Sequence, residues 1–223
     1  MYQINTMRQR IENTLLNYKY VIALLSVFNF LMTPMHIAIS GFAPAYVVVI
    51  NYSLVILGSS LIATSKSARV ITYILGAITL TFIWLEFSYV DSRILVQLRL
   101  FVSFALFINF CILLLRQLRK IKQINLQFIL MPILGFLYLG IVGGILFESM
   151  HLADPRSFQL IQGFSGYSFY YFSFISITTV GYGDITPLTA TAQSLTLIMN
   201  IIGQFYLAIV IAVFVGKYIN EKQ

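Results

Sequence analysis

The sequence predicts an all-α membrane protein, and three observations carry that prediction. Of the 223 residues, 59% are hydrophobic and only 9% are charged, and the mean hydropathy is +0.89. Apolar stretches near the ~20 residues that cross a bilayer recur along the whole chain, leaving no room for a sizeable soluble domain. The charged residues collect at the ends of those stretches. A net charge of +7 distributed in this way reads as membrane topology, and the basic stripe that a nucleic-acid surface requires is missing.

Six spanning helices are expected, at 18–38, 44–64, 69–90, 94–115, 126–148 and 191–217. Residues 1–17 form a polar segment with Arg8 and Arg10. No small-residue cleavage site follows the first apolar run, so that run is expected to be a retained span and not a signal peptide. Pro34 breaks its regularity, the connection to the second helix falls between Thr33 and Pro44, and Pro44 suits the first turn of that helix. The third helix approaches its end with Glu86 and Asp91. Arg99 is the only charge within the fourth, with Arg93 just ahead of it. Residues 116–125, carrying Arg116, Arg119, Lys120 and Lys122, read as an amphipathic interfacial linker whose cations face anionic lipid headgroups; plain topological anchoring is the competing reading. The fifth helix carries Gly140 and Gly144, a G-x-x-x-G spacing that lets a neighbouring helix approach closely. These divisions give a four-helix unit at 18–115, the linker, a second unit at 126–219 and a short tail at 220–223.

Six spans put both termini on one side, and the basic residues agree on which. Arg8, Arg10, Lys19, Lys66, Arg69, Arg116, Arg119, Lys120, Lys122, Lys217 and Lys222 share the terminal side, against Arg93 and Arg156 opposite. The positive-inside rule then makes both termini cytoplasmic.

Between the fifth and sixth helices, a polar stretch from Ser149 to Gly166 precedes an apolar run at 167–178. That run is too short to span and has the length of a re-entrant helix, tolerated where its end is buried in protein or meets a watery cavity. It leads directly into Thr178-Thr179-Val180-Gly181-Tyr182-Gly183-Asp184. Gly181 and Gly183 can take positive φ without a Cβ clash, so successive carbonyls can be turned toward one side. A row of such carbonyls replaces the water that a dehydrated K+ has shed, and Thr179 can add its hydroxyl at the inner end. Tyr182 is expected to pack its ring outward against the aromatic-rich short helix.

Residues 126–219, with this motif, resemble the pore module of the tetrameric potassium channel family. The resemblance implies a fifth span acting as outer helix, a pore helix, a K+ filter at Thr179, Val180, Gly181, Tyr182 and Gly183, and a sixth span lining the inner vestibule. It implies K+ sites at Thr179 to Tyr182, filter support from Thr178, Asp184, Tyr171 and Phe172, and an assembly of four chains. Gly203, twenty residues beyond Gly183, matches the family's hinge glycine, with close helix packing as the alternative. Ile175 stands where some members carry a glutamate, which speaks against a carboxylate gate there. The six-span plan resembles the voltage-gated branch, but Val96, Val102, Ala105 and Ile108 fill slots where that branch carries arginine. Arg99 is therefore expected either to pair with Glu86 or Asp91 or to retain shallow voltage sensing.

The expected function is passive, potassium-selective conduction across a plasma membrane, of prokaryotic type, with weak or no voltage gating. A non-conducting modulatory subunit and a potassium transporter subunit are the alternatives. No enzyme motif, organic cofactor or nucleic-acid partner is expected, and the residues after the sixth span offer no room for a regulatory domain. Cys111, the single cysteine, excludes an intrachain disulfide and reads as a small buried hydrophobe. His36 and His151, on outer segments, are candidates for proton sensitivity, with uninvolved surface histidines as the alternative. The sequon at Asn51 falls inside the second span, beyond a transferase's reach.

Overall fold

The computed structural model describes residues 18–88, 92–119, 126–160 and 166–221. Arg8, Arg10, Asp91, Lys120, Lys122 and Lys222 lie outside them. Among the described residues, each of the six apolar segments is helical over most of its length. Among the described residues, four helices are long and apolar enough to cross a membrane: α4 (Lys66–Ser88), α5 (Arg93–Leu118), α6 (Leu126–Ala153) and α8 (Ala190–Glu221).

The first expected span is a bent pair, α1 (Tyr18–Leu31) and α2 (Thr33–Ser40), turned by 60° at the break. Pro34 lies in the first turn of α2, where its missing N–H costs nothing, and Gly41 at φ +67° ends α2 in the left-handed region. Polar side chains stitch the bend to α3 (Pro44–Ser60). The Asn51 amide donates to Thr33 Oγ1 at 3.0 Å and meets His36 Nδ1 at 3.1 Å, while its oxygen accepts from Asn29 at 2.9 Å. His36 is thus engaged, and Asn51 is a buried hub. Helix α3 itself has 17 residues, at the lower limit for a span.

Several boundaries depart from expectation. Helix α5 runs through Leu118, so Arg116 is helical and the linker begins later than residue 116. Helix α6 continues to Ala153, into the stretch expected to be a polar loop, because Arg93 donates to the carbonyls of Leu152 and Ala153 at its end. Pro132 sits inside α6, and its carbonyl accepts from the Tyr206 hydroxyl of α8 at 2.8 Å.

Helix α6 is the structural centre: 61% of its most apolar window is buried within the chain, against 11% for α8. On one side, α5 packs along it through Phe107, Phe110 and Tyr138, whose rings lie 5.4 to 5.7 Å apart. On the other it seats the short helix α7 (Tyr167–Ile177), with Phe147, Phe158, Phe169 and Phe172 forming a second core. A two-residue antiparallel pair joins β1 (Phe158–Gln159) to β2 (Thr186–Pro187), tying the segment before α7 to the segment after residue 184. The exposed face of α8 is lined by Leu197, Ile198, Ile201, Phe205 and Ile209.

Candidate functional site

Small residues on α6 determine where α7 can lie. A Cβ at Gly140 would meet the Phe174 ring at 2.3 Å, one at Gly143 the Ser173 hydroxyl at 2.2 Å, and one at Gly144 the Tyr170 Cα at 2.9 Å. Side chains there would push α7 away. Ser173 exploits the close approach, donating to the Gly140 carbonyl at 2.7 Å.

The last turn of a helix leaves four carbonyls without intrahelical partners. In α7 each of the four is accounted for. Phe174 O accepts from the amide and the hydroxyl of Thr178, Ile175 O from the Gly181 amide at 3.0 Å, and Ser176 O from the Thr179 amide at 3.0 Å. Ile177 O accepts from Gln204 Nε2 of α8 at 3.1 Å. Three of these partnerships come from the loop itself, so the end of α7 acts as its template.

That loop has an unusual backbone. Thr179, Gly181 and Gly183 have φ of 63°, 53° and 79°, while Val180 and Tyr182 between them do not reach positive φ. In an extended strand successive carbonyls alternate sides, and inverting every second residue brings them toward one side. Glycine takes such angles freely. Thr179 does not: a β-branched residue at positive φ is a steric outlier of the kind that clusters at functional sites. Sequence reasoning anticipated the two glycines and missed Thr179, which nothing in its residue type signals.

The outer end of the loop is tied back to α7. Tyr171 donates to Asp184 Oδ2 at 2.7 Å, and Asp184 Oδ1 accepts from the Ile185 amide at 3.1 Å. Phe172 is buried against Phe147 and Phe158, with ring centroids 5.0 and 5.6 Å away. Ile175 is also buried. The expected packing of Tyr182 against α7 does not occur within one chain, where Tyr182 is 73% exposed.

Gly203 lies under the end of α7, where an added Cβ would be 3.0 Å from Ile177 Cβ. The glycine therefore has a packing role in this conformation. With Gln204 beside it, α8 grips the terminus of α7 at two successive residues.

Arg99 is only 9% exposed, and its Nε donates to Glu86 Oε2 and its Nη2 to Glu148 Oε1, both at 2.6 Å. Glu148 also accepts a 3.4 Å contact from the Tyr170 hydroxyl of α7. One guanidinium thus joins α4, α5 and α6, and Glu148 extends the connection to α7. Glu148 was absent from the sequence-derived partners of Arg99, because a separation of 49 residues leaves no local signal. Asp91, the other expected partner, lies outside the described residues. Just past the end of α6, Asp154 is held below its usual carboxyl range by the backbone amide and then the guanidinium of Arg156.

The remaining singled-out residues are not gathered at the loop. Arg116 and Arg119 are exposed at the far end of α5, Cys111 is a free thiol facing α6, and the His151 ring lies 5.2 Å from that of Phe169.

Residues 133–220, from within α6 almost to the end of α8, match the family model described as an ion channel. A curated relative, "Probable potassium channel protein 2" of Methanocaldococcus jannaschii, is 34% identical over 83 residues, which are 35% of this chain and 24% of that protein. The chain thus matches about a quarter of that relative's length. No solved structure matches it.

Proposed function

We propose that this chain is one subunit of a potassium-selective channel, in which four copies surround a common axis and conduct K+ passively. The observation that carries the proposal is the alternating backbone of Thr179 to Gly183, launched from a short helix whose terminal carbonyls it occupies. K+ is the substrate. Stripped of water, it would be held by the carbonyls of Thr179, Val180, Gly181 and Tyr182 and by the Thr179 hydroxyl, with the negative end of α7 favouring a cation nearby. Similarity to an ion-channel model and to a probable potassium channel supports the same reading.

One chain supplies one wall of such a filter. Val180 is 51% and Tyr182 73% exposed, and the apolar face of α8 is exposed below them, as expected of surfaces that identical neighbours cover. The six helical segments are read as six spans with cytoplasmic termini in a plasma membrane. Arg116 and Arg119 sit where anionic headgroups would stabilise them by about 1 kcal/mol each.

Voltage dependence is expected to be shallow. A charge moved through 100 mV yields about 2.3 kcal/mol, and steep gating uses three to four charges per subunit. Helix α5 offers Arg99, already held by two carboxylates, and Arg93, engaged at the end of α6, while Arg116 lies exposed in its last turn, beyond the apolar stretch.

Reconstitution of the purified protein in liposomes tests the proposal, comparing K+ with Na+ flux. Selective K+ flux is the expected result. Equal permeability would overturn selectivity, and silence of the purified chain would overturn conduction in favour of a modulatory subunit.

A further inference from the structure

The cluster of Glu86, Arg99 and Glu148 borders a cavity of about 390 Å³ between the four-helix unit and α7. Ligand pockets have volumes of roughly 300–1,000 Å³. With both carboxylates ionised, the cluster carries one negative charge more than its guanidinium neutralises. Aromatic rings from three helices stand on the cavity wall: Phe30 of α1, Tyr52 of α3 and Tyr170 of α7. The Phe30 and Tyr52 ring centroids lie 5.2 and 6.2 Å from that of Tyr170.

A second observation is independent of the carboxylates. Tyr52 is 4% exposed, and its hydroxyl lies near those of Ser103 and Tyr170 without a partner at hydrogen-bond distance among the described residues. It lies within electrostatic reach of both Arg99 and Glu148, at the charged end of the cavity. A buried hydroxyl without a partner at hydrogen-bond distance is unfavourable, so a polar group placed there gains a closer contact than the neighbouring Ser103 and Tyr170 hydroxyls offer.

We propose that this cavity binds a monovalent organic cation, a small molecule with an ammonium head and an apolar or aromatic body. The excess charge of one calls for one positive charge. A bare metal ion needs several oxygen ligands, and no group of three or more metal-ligating side chains occurs among the described residues. An ammonium head instead takes the carboxylates on one side and aromatic faces on the other, as cation–π attraction favours. Its body fills the apolar remainder, beside Ala45 and Val48. The occupant touches the four-helix unit and α7 together, so its affinity differs between states that move those two apart.

The test is calorimetric titration of benzyltrimethylammonium into the purified full-length protein in lipid nanodiscs. One ligand per chain is expected. Ala45→Trp, which fills the cavity, and Glu148→Gln, which removes its excess charge, should each weaken binding at least tenfold. Tyr52→Phe keeps the ring and removes the hydroxyl, and should weaken binding several-fold with an undiminished melting temperature. A stoichiometry of one ligand per four chains would place the cation on a shared axis and overturn the proposal. Unchanged affinity in Ala45→Trp and Tyr52→Phe would also overturn it. Because binding is read and not flux, a chain that conducts nothing can still pass this test.

Discussion

Tyr171 donates a 2.7 Å hydrogen bond to Asp184 Oδ2, joining the middle of α7 to the residue that ends the Thr179–Gly183 loop. The loop is thereby held at both ends by one short helix. Its start and middle are bonded to the helix terminus, and its exit is bonded to a side chain of the same helix.

Removing that tie should loosen the exit without altering its composition. Hydrogen bonds to charged acceptors contribute about 1.5–3 kcal/mol, less where water competes. Tyr171→Phe is expected to lower stability by about 1 kcal/mol and to hasten the decay of K+ flux in liposomes, while Asp184→Asn, whose amide oxygen still accepts, should do so less. Equal, sustained flux in both variants would show the tie to be dispensable.

Gly144 and Gly216 form a paired test of packing. A Cβ at Gly144 meets the Tyr170 backbone at 2.9 Å, whereas one at Gly216 meets nothing within 4 Å. Overpacking costs about 1–3 kcal/mol, and exchanging an unhindered helical glycine for alanine gains up to about 1 kcal/mol. Gly144→Ala should therefore lower the melting temperature, and Gly216→Ala should hold or raise it. Thermal denaturation in detergent reads both.

Gly203 separates a hinge from a close contact. In Gly203→Ala the new methyl presses on Ile177, whose side chain is fully buried at the end of α7. Open probability in bilayers is expected to change while the K+/Na+ permeability ratio does not. If packing is the cause, adding Ile177→Ala should partly restore open probability; if helix flexibility is the cause, the double variant will behave like the single one.

Arg99→Gln leaves Glu86 and Glu148 without their shared cation. Breaking a buried ion pair from one side costs about 3–5 kcal/mol, so a large loss of stability is expected. Replacing all three members by Gln, Met and Gln should cost less than the single change, since no unpaired charge then remains. Chemical denaturation compares them. The slope of the conductance–voltage curve should stay shallow in the wild-type protein; a steep slope would mean that Arg99 moves.

Local signals in the sequence were enough for the helices and poor for their partners. Apolar length located the helical segments, Pro34 and Pro44 marked the first connection, and a run too short to span marked α7. The helix ends shifted where a distant side chain intervened, as Arg93 does at the end of α6. Glu148 as a partner of Arg99, Gln204 on the Ile177 carbonyl and Asn51 at the α1–α2 bend each join residues with no sequence relation that periodicity could reveal. Tyr182, expected to pack against α7, is 73% exposed, and nothing in its sequence neighbourhood signals that.

The sequence by itself determined that this protein is helical, suited to lipid, and furnished with one glycine-spaced loop after a short apolar helix. These follow from composition, length and the conformational freedom of two glycines, which are properties of neighbours along the chain. Only the tertiary structure decided that Thr179 joins those glycines at positive φ, that Gly203 is pressed on Ile177, and that Arg99 binds the four-helix unit to α6. Each depends on which helices lie side by side, and that is set by the packing of Gly140, Gly143 and Gly144 under α7 and of aromatic rings between α5 and α6.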